Sequence, residues 1–525
     1  MEIFEKKLRT TMVKAVKQIQ ITLDEDKNVP DIKIDIEKII LTKGNIKIQE
    51  SEVMVDRIRI NGQLEGEILY SGSDGNTRTS VMDFQLEFEE YFHMEGVVPT
   101  DHVSMIPELE DLNITLINSR KIGIRAVLNF QISVTDGKEI EAIARVEGDG
   151  VQMLHKTLSM TQLIVDKKDM VRLKEEVVLP ANKPNIYEPL WSYLEFKNAE
   201  SKVYDHKIGV QGELHIFLLY LGEEEHVPLQ FVEWELPVRT ELECYECMEG
   251  MIGYIGFRVT SRNLEVKPDL DGETRILSAE IGLELDLKVY EEEEIQILDD
   301  VYHWKREMIP HYEDVSFERL VAKNAAKMRL NQRVPLKQQQ GKVLQILYMD
   351  GSCKIDEMEV VEGGVLVEGV LDGVILYLTA DDNVPVNSMS VVIPFSYKVE
   401  AKEMKEDDHF SMHTALDQLN AVFLDGDEME VKAEITFDMI VLSPGTEKAM
   451  VQIEEKDLDM DKLNEIPGIV GYIVKPEDTL WQIAKQYYTT IDSIRKLNQD
   501  LGEEVKPGDR ILIMKEIEDM INPSF

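Results

Sequence analysis

The chain has 525 residues, 43% hydrophobic and 30% charged, which supplies several packed cores and excludes wholesale disorder. Acidic residues outnumber basic ones 101 to 57, and the net charge of −44 repels phosphate backbones and anionic lipid, so nucleic acid is not expected as a partner. Three cysteines (Cys244, Cys247, Cys353) cannot frame a disulfide scaffold, Met1–Lys7 lacks an apolar h-region, and no uninterrupted apolar run nears about 18 residues, so a reducing compartment, no secretory signal and no membrane span are expected.

One phrase occurs three times: Gly62 to Tyr70, Gly212 to Tyr220 and Gly369 to Tyr377, spaced by 150 and 157 residues. A second phrase follows each copy: Val127 to Val134, Gly282 to Val289 and Glu434 to Val441, spaced by 155 and 152. Two phrases with nearly one period predict three homologous domains, at residues 17–136, 173–291 and 331–443. Each is predicted to be mainly β. Val431, Ala433, Ile435, Phe437 and Met439 alternate with polar residues, as do Leu283, Leu285, Leu287 and Val289, and Phe84, Leu86 and Phe88. Such alternation fits antiparallel sheets with one face buried, separated by turns such as Ser73-Asp-Gly75 and Leu424-Asp-Gly-Asp427.

The connectors at 137–172 and 292–330 read differently. Leu320, Val321, Ala325 and Met328 are spaced as on one helix face, which predicts short connecting helices. Residues 444–468 read as an acidic linker, a solvated tether. Asp457, Asp459 and Asp461 open like a calcium loop, but Lys462 and Gly468 stand where that loop needs Gly and Glu, so no such site is expected.

Residues 469–515 are predicted to run β-α-α-β. Tyr472 to Val474 form a strand, and Asp478 or Thr479 caps a helix whose apolar face is Leu480, Ile483, Ala484 and Tyr487. Thr490 caps a second helix bearing Ile491, Ile494 and Leu497, and a turn at Lys506-Pro-Gly-Asp509 leads to the strand Ile511 to Ile513. Seven basic and seven acidic residues leave this module neutral on an acidic body. Trp481 has two readings: a partly buried aromatic holding the module together, or an interface anchor.

Tyr472, Val474, Asp478, Thr479, Leu480, Trp481, Ile483, Ala484, Leu497, Asn498, Pro507, Gly508 and Ile513 make this stretch resemble a LysM module. Glu477 stands where that family usually has Gly, and Gln499 where it often has Pro. The resemblance implies binding of N-acetylglucosamine polymers such as peptidoglycan through two loops, Glu477, Asp478, Thr479, Leu480 and Trp481, then Asn498, Gln499, Asp500 and Leu501. Ile469 and Tyr472 would extend an apolar patch beside Trp481. With Leu179 to Pro184 leading to Gly212–Tyr220, the three repeats resemble SPOCS domains, and the whole chain resembles the SipL type of spore-coat morphogenetic protein. That resemblance implies a site in the mother-cell cytoplasm at the forespore surface, and a LysM that binds the basal coat morphogenetic ATPase, SpoIVA. The alternative is a peptidoglycan-binding protein.

No catalytic motif, cofactor site or metal site is expected. Cys244 and Cys247 form a CxxC pair without a second pair, which predicts ordinary thiols. His409 and His413 lack the Glu of HExxH and are expected at the surface. Gly250 to Gly256 is glycine-rich without a following Lys-Ser/Thr, and reads as a turn or strand with close backbone packing.

Overall fold

The computed structural model describes residues 1–72, 78–223, 229–335, 343–380, 384–424, 428–458, 466–502 and 504–515. Three six-stranded units come first. The first holds β1 (Glu2–Asn28), β2 (Ile36–Met54), β3 (Arg57–Gly72), β4 (Arg78–His93), β5 (His102–Asn118) and β6 (Lys121–Glu147). The second holds β7 (Val151–Val178), β8 (Ile186–Tyr204), β9 (Lys207–Gly222), β10 (Leu229–Glu243), β11 (Ile252–Pro268) and β12 (Thr274–His303). The third holds β13 (Arg306–Pro335), β14 (Val343–Val361), β15 (Gly364–Thr379), β16 (Val386–Glu400), β17 (His409–Phe423) and β18 (Glu428–Asp457). In each unit the second to fourth strands form one antiparallel sheet, and the first, last and fifth lie together in the other, those of the second and third units being joined through β7 and β13 into one six-stranded sheet.

The two repeated phrases are the central strands of these two sheets: β3, β9 and β15 in one, β6, β12 and β18 in the other. A central strand is paired on both edges and buried on at least one face, so its residues are the most constrained of the unit. Ile68, Tyr70, Leu218, Tyr220, Ile375 and Tyr377 are fully buried. The closing tyrosine also has a polar task. Tyr70 Oη donates to Ile34 O at 3.2 Å, and Tyr220 Oη to Pro184 O at 3.1 Å, tying the phrase to the loop before the second strand.

Bulges recur at matching places. β2, β8 and β14 each slip twice near their start, at Ile36/Lys38 and Ile39/Leu41, Ile186/Glu188 and Pro189/Trp191, and Val343/Gln345 and Ile346/Tyr348. In each long pair a further bulge lies at Val13/Ala15, Val289/Tyr290 or Leu320/Ala322. Beyond it the pair continues as a two-stranded ribbon. The bulge adds local twist and lets the ribbon leave the domain at a new angle.

The three units share two kinds of core. At one end Leu41 and Leu69 meet Trp191, Phe217, Leu219, Tyr348 and Leu376, drawn from matching strands of all three units. At the other the three ribbons bury Leu8 and Ala142, Leu158 and Ile297, and Val315 and Ala449 against one another. Ile143, Leu298, Val301, Met308, Met450 and Ile453 continue that seam toward the ribbon tips. The units are thus assembled like the protomers of a trimer, within one chain.

The mainly β reading holds, but the connecting helices do not. Residues 137–147, 151–172, 292–303 and 306–330 are strand, the two arms of the ribbons. The false helical spacing in 317–330 comes from the bulge at Leu320/Ala322, which puts two apolar residues side by side and breaks the period of two. After it the alternation resumes, with Met328 buried and Ala325 exposed. The linker reading fails for 444–457 because this stretch is the last arm of β18, which buries Ala449, Met450 and Ile453 while Glu447, Glu454 and Glu455 stay exposed. Asp459, Asp461, Lys462 and the turn signals at 73–75 and 425–427 lie outside the described residues.

The loops before the second strands are held by an arginine that sequence reading passed over. Arg275 donates to Pro180 O at 2.9 Å, Lys183 O at 3.0 Å and Asn185 Oδ1 at 2.9 Å. Arg120 does the same in the first unit, at Pro30 O and Lys33 O. Arg275→Met is expected to remove about 1.5–3 kcal/mol of local stability. Amide exchange over residues 179–186 should accelerate about tenfold or more while the core strands keep their protection.

His409 is exposed on β17, but His413 is not a surface residue. It stacks on Tyr254 at 4.3 Å between centroids, across the contact of the second and third units. Desolvation pushes its pKa down to about 4. The glycine-rich run reads as expected. Gly250 turns at φ +98°, and a Cβ on Gly256 would lie 2.8 Å from His413 Cε1. No helix among the described residues is long and apolar enough to cross a membrane.

Candidate functional site

The C-terminal module consists of β19 (Ile469–Ile473), α1 (Leu480–Gln486), α2 (Ile491–Leu497) and β20 (Arg510–Met514). Thr479, rather than Asp478, caps α1: its side chain accepts from Gln482 N while Gln482 Oε1 accepts from Thr479 N, a reciprocal capping box. Thr490 caps α2 by accepting from Ser493 N at 3.0 Å. Leu480, Ile483, Ala484, Ile494, Ile511 and Ile513 form the module's core.

The two loops expected to bind are only partly free. Asp478 accepts from Tyr472 Oη at 2.7 Å and Lys475 N at 2.8 Å. These bonds hold its carboxyl below its usual range and push Tyr472 up to about 12. Asn498 is used internally: its Nδ2 donates to Ile494 O and Leu512 O, both at 2.7 Å, and its Oδ1 accepts from Leu512 N at 2.8 Å. It pins the end of α2 to the edge of β20. Leu480 is buried and Leu501 half-buried, leaving Glu477, Thr479, Gln499 and Asp500 exposed along the loops. Glu477 takes φ +72°, the left-handed region in which its relatives' glycine is at ease.

Ile469, Tyr472 and Trp481 do not form one patch. Three positions apart on a strand, Ile469 and Tyr472 lie on opposite faces. Tyr472 turns inward to Asp478 and Tyr487. Ile469 turns outward with Ile473, and across the register stand Met514 and Leu512, the four being 61, 59, 40 and 45% exposed. Gly471 between them has no atom within 4 Å of a Cβ position, so this face is open.

Trp481 points elsewhere, into the body of the protein. It is 9% exposed and meets Tyr302 of β12 edge-on at 4.9 Å. Its Nε1 donates to Asp300 Oδ2 at 2.8 Å, and Lys485, one helical turn on, donates to both Asp300 oxygens at 2.6 and 2.8 Å. Tyr302 Oη donates to Thr489 O at 2.7 Å. One carboxylate thus receives two donors spaced by one turn of α1, which fixes the helix in orientation as well as position. Asp300 is presented by a bulge at Leu298/Asp300 that interrupts the tip of the β7–β12 ribbon. Sequence reading missed Asp300 and Tyr302 altogether. The spacing of Trp481 and Lys485 is visible in the sequence, but nothing marks their partner among the many carboxylates of that strand.

Cys244 and Cys247 are buried in the turn between β10 and β11, where Cys247 N donates to Cys244 O at 3.0 Å. Burial pushes the Cys247 thiol up to about 12, so it is not poised for thiolate chemistry. Cys353 is likewise pushed up to about 12.

Three copies of one double-sheet unit carrying a small βααβ module define a tandem-repeat, multidomain chain. Residues 35–117, 185–267 and 342–424 each match the family described as SipL, SPOCS domain, and residues 472–513 match the LysM domain family. Three SPOCS matches followed by a C-terminal LysM match give the chain the SipL-type architecture, which points to a sporulation-related protein. Both families are of the non-catalytic, binding type. No curated protein and no solved structure matches the chain.

Proposed function

We propose that the chain is a non-catalytic adaptor in spore-coat assembly, placed at the forespore surface in the mother-cell cytoplasm. In this reading the SPOCS domains form a rigid body, and the LysM recruits a SpoIVA-like basal coat ATPase and so promotes encasement. The observation that carries it is the open apolar face of Ile469, Ile473, Leu512 and Met514 on a module with no net charge. Contiguous exposed apolar side chains suit a protein partner. A neutral module on an acidic body meets an acidic partner with little repulsion. Multivalent display on a growing shell would let modest contacts add up.

The second reading, peptidoglycan binding, draws on the exposed loop residues Glu477, Thr479, Gln499 and Asp500. The two separate in one experiment with the full chain, the purified ATPase and purified peptidoglycan. Ile469→Lys combined with Leu512→Lys changes only outward-facing side chains. Two central anchors are commonly each worth about 2 kcal/mol, so ATPase affinity should fall about a hundredfold or more with the melting curve unchanged. Undiminished ATPase binding by that variant, or pelleting with glycan and no ATPase binding by the parent, contradicts the adaptor.

A further inference from the structure

The three units are built alike, so a place where one of them departs from the others is informative. Register makes Glu65, His215 and Asp372 equivalent, each on the central strand opposite Asn45, Glu195 and Ser352 respectively. Lys47, Lys197 and Lys354 are equivalent two positions further along. In the first unit Lys47 lies 3.6 Å from Glu65, and in the third Lys354 pairs with Asp372 at 2.6 Å. In the second unit Lys197 turns instead to Glu195, at 2.6 Å.

What is left around His215 is a cluster of carboxylates. His215 stands directly opposite Glu235 on β10, and Glu233 is two residues from Glu235 on the same face. Nδ1 of His215 lies 3.5 Å from Glu235 Oε1, and one ligand atom from each of His215, Glu233 and Glu235 falls within 4.8 Å of the others. Nε2 faces Glu213 Oε2 at 3.6 Å, is buried, and has no hydrogen-bond partner. Glu213 is itself steadied by Asn198, whose Nδ2 donates to it at 2.6 Å. The equivalents of Glu235 and Glu233 are Gln85 and Asp83 in the first unit and Val392 and Ser390 in the third, so only the second unit joins an imidazole to two carboxylates.

We propose that His215, Glu233 and Glu235 form a binding site for a divalent first-row metal ion, with Glu213 holding the far nitrogen of the imidazole. One nitrogen and two carboxylate ligands leave a fourth position open, to water or to a ligand brought by a partner. A carboxylate behind the ligating histidine is the usual outer-shell arrangement. The cation would replace the charge that Lys47 and Lys354 supply in the sister units.

The test uses the full chain stripped by a chelator, titrated with Zn²⁺ against a competing chromophoric chelator at neutral pH, and with Co²⁺ read by absorption. The site should take one ion per chain. His215→Ala should weaken binding by well over about tenfold, and Glu213→Gln by about tenfold with the stoichiometry kept. If His215→Ala fails to fold, Glu233→Gln with Glu235→Gln, both exposed positions, carries the same test. Three outcomes overturn the proposal: no binding at millimolar Zn²⁺, equal binding by the variants, or Co²⁺ thiolate bands that place the ion at Cys244 and Cys247.

Discussion

Trp481→Ala is expected to free the LysM module from the ribbon tip. The substitution removes a buried indole that touches Tyr302 and strands one face of the Asp300 carboxylate. Truncation of a buried Trp typically costs about 3–5 kcal/mol, most of the contact available at so small a junction. The methyl resonances of Ile469, Ile473 and Met514 should then relax as those of a small, independently tumbling domain, whereas in the parent they should relax with the whole 60.3 kDa chain. Asp300→Ala should act in the same direction by leaving Lys485 and the indole N–H without their acceptor. Slow tumbling in both variants would contradict the docked arrangement. Because Trp481 serves this internal contact, loss of partner binding in Trp481→Ala would not identify Trp481 as a partner contact. Ile469 and Leu512, exposed on the outward face of the module, are the cleaner positions.

The second large effect is expected from a carboxyl pair where the second and third units meet. Burial, then the charge of Glu195, pushes Asp350 up to about 7. Burial alone would raise Glu195, but Lys197 at 2.6 Å outweighs it and brings it below its usual range. Tyr193, Tyr348 and Arg262 complete the surroundings, with Tyr348 Oη donating to Glu195 at 3.2 Å. Asp350 therefore holds its proton more tightly folded than unfolded. Its stabilisation is whole below its unfolded value of about 4 and is lost as pH rises through about 7. Glu195 acts oppositely, adding stability above its unfolded value that is lost in acid. Asp350→Asn keeps the shape and a donor but cannot ionise. Relative to the parent it should gain on the order of 3 kcal/mol between pH 5 and pH 8.5, read as a growing difference in Tm. A pH-independent difference would contradict an Asp350 carboxyl that holds its proton in the folded state.

The repeats were legible because central strands bear the tightest constraints, and the same residues that fill the core repeat with the domain. The LysM was legible because capping residues and a helical stripe are local signals: Thr479, Thr490 and the Leu480, Ile483, Ala484 face all stand where the sequence puts them. The ribbons were not legible. Their arms are charged on one side and interrupted by bulges, so Leu320 and Val321 mimic a helix, and the acidic run after Pro444 mimics a tether. The docking of the module was hidden for another reason. Asp300 becomes a partner only when a bulge in β12 aims it at α1, and a bulge depends on the pairing strand. Asn498 shows the converse, a residue matching a binding loop whose amide is spent on the backbone of β20.

The most direct test of the whole account is amide hydrogen exchange on the full chain, alone and with the purified basal coat ATPase. The account predicts new protection at residues 469–473 and 510–514, with residues 298–303 of the ribbon tip unchanged. Protection confined to the loops at 477–481 and 498–501, or new exposure at 298–303, would contradict it, because the partner would then read the glycan groove or the docked face instead.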